Sequence, residues 1–188
     1  MEPAAQAHDK ARRGFLEEGA RSYLKAANAV MEFEREVQER CRKVMERHIS
    51  DYGLALKVDL KSSEIQNLIW PEKWEGTWAS VGVRVLRRDI PGITWWEGYC
   101  TLEWGSDDEF SCYVGEWFPT RKMAMDLFQK FGRVDPDKSV TASDKNVGIA
   151  QTLKPEEAPD FEEHMDDLLM KWIKLWKKIG GINAVSKG

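Results

Sequence analysis

The stretch WASVGVRVLRRDIPGITWWEGYCTLEWGSDDEFSCYVGEWF, residues 78–118, decides the fold. Ala79, Val81, Val83 and Val85 alternate with polar or small residues, the period-two pattern of a strand with one buried face. Pro91-Gly92 marks a turn. Trp96, Gly98, Cys100, Leu102 and Trp104 then form a second inward set, with Trp95, Glu97, Tyr99, Thr101 and Glu103 in the opposite phase. After the polar run Gly105-Ser106-Asp107-Asp108-Glu109, a third strand places Phe110, Cys112 and Val114 inward and Tyr113 and Trp117 outward. A hairpin centred near Asp107 sets Tyr99 opposite Gly115.

Upstream, Leu54, Leu56, Val58 and Leu60 alternate, which predicts a fourth strand over 54–60 after a helix stopped by Gly53. The segment from Ser62 to Trp74 is irregular; the expectation is one short helical turn ended by Pro71, with Trp70 and Trp74 flanking the proline. From Lys10 to His48 the apolar positions Leu16, Ala20, Tyr23, Ala27, Val30, Val37, Cys41 and Val44 follow threes and fours, interrupted by Glu34. Thirty residues of helix span about 45 Å, longer than the core of a small domain is wide, so this helix calls for a partner, a second subunit or the C-terminal helix.

Downstream, Thr120 caps a short helix over 121–131 with Gly132 as its stop. Residues 133–157 carry no strong pattern, although Val147, Ile149 and Leu153 offer anchors for a short strand or covering loop. Asp160 and Glu163 suggest a capping box for an amphipathic C-terminal helix. Its apolar stripe is Phe161, Met165, Leu168, Leu169, Trp172, Ile173 and Trp176, acids precede lysines along it, and Gly180-Gly181 ends it.

The expected fold is therefore α+β. A four-stranded antiparallel sheet, with its meander core at 78–118, is packed by the long N-terminal helix, the 121–131 helix and the C-terminal helix. Residues 1–9 read as a flexible leader, 10–182 as one domain with a helical extension, and 183–188 as a tail.

Composition bounds the function. The chain has 188 residues, 42% hydrophobic and 32% charged, with nine tryptophans and a formal charge of −4. That balance favours neither nucleic acid nor another polyanion as partner. No apolar run reaches the roughly 18 residues of a membrane span, and the start lacks the pattern of a signal peptide. Cys41, Cys100 and Cys112 fall on apolar phases, as small buried hydrophobes do in a reducing compartment, so the expectation is a cytoplasmic chain.

No cofactor is expected, because neither nucleotide-binding glycine pattern occurs, and no metal site is expected from histidine or cysteine spacing. Asp59-Leu60-Lys61 resembles the acid-x-lysine tripeptide of metal-dependent nucleases, but no second and third carboxylates accompany it. Glu97 and Glu103, six residues apart on one strand, lie about 20 Å from each other, too far for paired acid–base work.

Three readings remain, the last of them the metal-dependent nuclease at Asp59-Leu60-Lys61. The first is a non-enzymatic interaction protein, a homodimer through the N-terminal helix or bound to another protein. The second is a small-molecule-binding protein or enzyme using an aromatic groove on the outward sheet face. Its candidate residues are Trp70, Trp74, Arg84, Trp95, Glu97, Tyr99, Tyr113 and Trp117, with the Trp70–Trp74 loop and the 133–157 loop as walls.

Overall fold

A computed structural model describes residues 2–70, 78–105, 109–154 and 156–185. Helix α1 (Glu2–Leu56) is followed by strands β1 (Ile65–Trp70), β2 (Trp78–Arg87), β3 (Trp96–Gly105) and β4 (Phe110–Trp117). Then come α2 (Arg121–Val134), β5 (Val140–Ser143), β6 (Asn146–Leu153) and α3 (Phe161–Ile179). The chain divides into two units, residues 1–36 and residues 37–188, and α1 runs from one into the other. Among the described residues no helix is long and apolar enough to cross a membrane.

Among the described residues the sheet has six strands, not four, all antiparallel in the order β1-β2-β3-β4-β6-β5. The meander β2-β3-β4 has the expected phases, and Tyr99 pairs with Gly115. The expected strand over 54–60 is absent. Helix α1 continues through Gly53 to Leu56, and the chain turns at Lys57, whose φ is +63°. The N–H of Val58 donates to Gly53 O at 2.9 Å and that of Lys57 to Leu54 O at 3.3 Å, a Schellman closure with lysine in the left-handed position. Gly53 serves the returning chain instead: a Cβ there would stand 2.6 Å from Val58 O.

A left-handed lysine is strained relative to glycine. Lys57→Gly is therefore expected to raise stability by about 1 kcal/mol, read as a higher urea midpoint with an unchanged slope.

Three strands lie outside the predicted meander, β1 on one side of it and the β6–β5 pair on the other. β1 is an edge strand whose only buried residue is Ile65, so it lacks a clean apolar alternation. The 133–157 segment holds a hairpin. Asp144, at φ +47°, turns β5 into β6, and β6 pairs with β4 from Phe110↔Leu153 to Trp117↔Asn146. The approach to that hairpin is organised by Asp135. Its buried carboxylate accepts from Asp137 N, Ser139 N, Ser139 Oγ and Val140 N at 2.6–3.3 Å. Burial opposes its ionisation, but these donors outweigh burial and hold it below the usual carboxylate range.

Helix ends also depart from expectation. α2 passes through Gly132 to Val134. Asp160 makes no side-chain cap; a 3-10 turn over Ala158–Asp160 feeds α3 directly. Thr120 does cap α2, accepting from Met123 N at 3.3 Å, and Gly180 closes α3 with φ +90°.

In the second unit the core lies on one side of the sheet. Val81, Val83, Val85, Cys100, Leu102, Cys112, Val114, Val147 and Ile149 are buried against Val37, Cys41, Val44, Met45, Ile49 and Tyr52 of α1, Leu127 and Phe131 of α2, and Trp172 and Trp176 of α3. The three cysteines are all buried and unpaired in disulfides. Polar contacts seal the α1–α3 seam: Arg47 bridges Glu162 and Asp166, each at 3.0 Å, and His48 Nε2 lies 3.0 Å from Asp166.

Candidate functional site

The helices occupy one face of the sheet, and the reverse face carries a cavity of about 690 Å³. Pairing decides which side chains reach it. Rows such as Arg84↔Tyr99↔Gly115↔Gly148 and Leu86↔Glu97↔Trp117↔Asn146 point away from the core because their neighbours Val83, Cys100, Val114 and Ile149 point into it.

The concavity follows from a measurable curl. Trp70 belongs to the Ser80↔Glu103 row of β1, whereas Trp117 belongs to the Glu97 row of β4. Three strand spacings and six residues of rise would separate these positions by about 25 Å in a flat sheet. Their ring centroids are 6.4 Å apart, edge to face at 77°. Twist has raised two diagonal corners of the sheet toward each other, so the face between them is hollow.

The floor is a pair of tyrosines. Tyr99 and Tyr113 stack with centroids 5.6 Å apart and planes 7° from parallel. Tyr113 is seated by two facing glycines, Gly115 and Gly148. A Cβ on the first would meet its Cε1 at 2.6 Å, and one on the second its hydroxyl oxygen at 2.5 Å. The Tyr113 hydroxyl donates to Asn146 Oδ1 at 3.0 Å. Burial, with the nearby Glu103 carboxylate adding to it, pushes the Tyr113 phenol to about 12; burial raises Tyr99 well above its ordinary value too. Both rings therefore stay neutral at neutral pH.

Beside the floor, Arg84 Nη1 and Glu97 Oε2 are 3.4 Å apart. Burial raises the Glu97 carboxyl above its ordinary value, and the Arg84 charge opposes that shift without overcoming it. Two donors at this site, Arg84 Nε and Trp117 Nε1, are buried and have no hydrogen-bond partner. Such groups are costly unless something completes them. The rim is polar, made by Thr141, Ser143, Asp144, Lys145 and Asn146 of the β5–β6 hairpin together with Ser80 and Glu103.

Of the residues proposed from sequence, Trp70, Arg84, Trp95, Glu97, Tyr99, Tyr113 and Trp117 all line this cavity. Trp74 lies outside the described residues. The hairpin rim falls in the 133–157 segment, where the sequence suggests a short strand or covering loop anchored by Val147, Ile149 and Leu153. The signal for it was Ser143-Asp144-Lys145-Asn146 between two short runs with alternating Val140, Ala142 and Val147, Ile149. Leu68, on the missed strand β1, also lines the cavity.

The acid-x-lysine tripeptide fares differently. Asp59 and Lys61 are exposed, 3.5 Å apart, in coil and not at a strand end. Among the described residues no three His, Cys, Asp or Glu side chains are grouped to hold a metal ion. No protein-family model, no curated protein and no solved structure matches the chain.

Proposed function

We propose that the protein binds a small planar or sugar-like molecule in the groove on the reverse face of its sheet. What carries this reading is the coincidence, in one hollow, of stacked aromatic rings with buried donors that lack acceptors. Ring faces attract a flat or C–H-rich ligand, and the Arg84 and Trp117 N–H groups call for carbonyl, hydroxyl or ring-nitrogen acceptors on its edge. The charges around the groove, Arg84 and Lys145 against Glu97, Glu103 and Asp144, nearly balance. A neutral ligand suits them better than a multiply charged one.

The test is a tryptophan-fluorescence titration with planar heteroaromatic and monosaccharide probes. Trp95→Ala is expected to weaken binding about threefold to tenfold, the worth of an aromatic contact. Arg84→Met is expected to weaken it tenfold or more, because a charged donor is lost. If probes bind and neither variant alters their affinity, the groove is structural only.

A second reading concerns the first unit: self-association through α1. It is supported by the exposure of Phe15, Leu16, Tyr23, Leu24, Val30 and Met31, large apolar side chains that are 48–77% accessible on one stretch of helix. Sedimentation equilibrium at micromolar concentration tests it, and a monomer across that range removes it.

A further inference from the structure

We infer that two copies of this chain pair through residues 16–34 of α1 as an antiparallel helical couple centred on Lys25. The inference rests on the self-association reading and adds its orientation and register.

The stripe itself points to a helical partner. Leu16, Ala20, Tyr23, Ala27, Val30 and Glu34 recur by fours and threes, the spacing that keeps one seam facing a neighbouring helix. Leu24 and Met31 widen it on one flank and Gly19, Ala26 and Phe33 on the other. From Val37 onward the same phase, Val37, Cys41 and Val44, is buried within the second unit, so the stripe open to another chain ends near Glu34. Its midpoint is residue 25.

Size chooses between the two orientations. In a parallel pair each seam residue meets its own copy, so Tyr23 meets Tyr23, Ala20 meets Ala20, and two Glu34 carboxylates share one layer. Reversed about Lys25, Ala20 meets Val30, Tyr23 meets Ala27 and Leu16 meets Glu34 of the second copy. Large faces small in the inner layers, and each Glu34 stands at an end, where its carboxylate reaches water. On the flank Gly19, with nothing within 4 Å of the place its Cβ would occupy, receives Phe33 of the second copy. Small residues opposite large ones let helix backbones approach closely.

Charge makes the same choice. Residues 10–25 carry five basic side chains, Lys10, Arg12, Arg13, Arg21 and Lys25, against Glu17 and Glu18. Residues 26–36 carry Glu32, Glu34 and Glu36 against Arg35. A parallel pair sets basic on basic and acidic on acidic. The reversed pair brings Arg12 and Arg13 within a helical turn of Glu34 and Glu36 of the second copy, which favours this orientation and disfavours the other.

The experiment uses the full chain, whose own cysteines are buried, in single-cysteine additions treated with a short bis-maleimide and sedimented in parallel. Ala26→Cys, one residue from the symmetry axis, is expected to cross-link copy to copy. Leu16→Cys is expected not to, since the two sites lie about 27 Å apart along the axis. An equal mixture of Leu16→Cys and Glu34→Cys chains is expected to cross-link. Tyr23→Arg is expected to weaken the dimer at least a hundredfold. Efficient cross-linking of Leu16→Cys to itself overturns the orientation. A sedimenting dimer in which Ala26→Cys stays uncoupled overturns the register. A monomer at all concentrations removes self-association itself, and the pairing with it.

Discussion

Raising the pH from about 5 to about 8 is expected to destabilise the second unit by several kcal/mol, and Glu116→Gln is expected to abolish most of that dependence. Glu116 is on the core side of β4, fully buried. Its Oε1 accepts three hydrogen bonds, from Tyr52 Oη at 2.5 Å, Trp172 Nε1 at 3.0 Å and Trp176 Nε1 at 2.6 Å. Its Oε2 is buried with no partner. Burial disfavours the anion more than the three donors favour it, and the carboxyl is pushed up to about 8.

The sign follows from comparing the two states. In the unfolded chain this carboxyl gives up its proton near 4.5; in the folded protein it keeps it to about 8. Between those values the folded state holds the extra proton, so stability falls as pH rises, by about 1.4 kcal/mol per pH unit, and levels off above about 8. The whole span is worth on the order of 5 kcal/mol. Glutamine offers the same acceptor to Tyr52 and both tryptophans and carries no charge. Glu116→Gln should therefore match the parent near pH 5 and exceed it at pH 8 in urea midpoint. A parent chain with equal stability at both pH values would refute the neutral-acid account. Glu116→Ala behaves oppositely, because it strands three buried donors at roughly 1–3 kcal/mol each.

This buried carboxyl also shows where sequence reasoning stops. The period-two phase of β4 puts Glu116 on the side opposite Glu97, which the pairing Gly98↔Glu116 matches. Nothing in the local pattern announces that an inward glutamate meets a tyrosine 64 residues earlier and two tryptophans 56 and 60 residues later.

The outward set of the meander was legible for the converse reason. A period of two fixes the facing of every residue once a few valines are assigned to the core, so Arg84, Glu97, Tyr99, Tyr113 and Trp117 had to share a surface. Strand number was not legible, because β1 is an edge strand with one buried residue and β5–β6 hides behind turn-forming residues. The false strand at 54–60 arose because α1's last turn and the chain beyond it imitate alternation. Leu54 is in fact 73% exposed, and Leu56 and Leu60 are buried from different elements.

Gly148→Val is expected to lower stability by about 3 kcal/mol and to close the cavity floor. A Cβ at 148 would lie 2.6 Å from Val114 O as well as 2.5 Å from the Tyr113 hydroxyl oxygen. The tyrosine is a side chain and can move, but the carbonyl belongs to the neighbouring strand β4, which pairs with β6 throughout its length. Relief therefore requires β4 and β6 to separate locally, the kind of overpacking that costs about 1–3 kcal/mol before ladder bonds are strained. The displaced Tyr113 ring has only the hollow to enter, since its other side is occupied by stacked Tyr99. Two readouts separate these effects. The urea midpoint reports the strand clash, and probe binding by whatever fraction remains folded reports the ring. Gly148→Val with Tyr113→Ala should recover part of the cavity but little of the stability, because the carbonyl contact persists. Full recovery of stability in that pair would mean that the ring, and not the β4 backbone, is what the missing side chain at 148 accommodates.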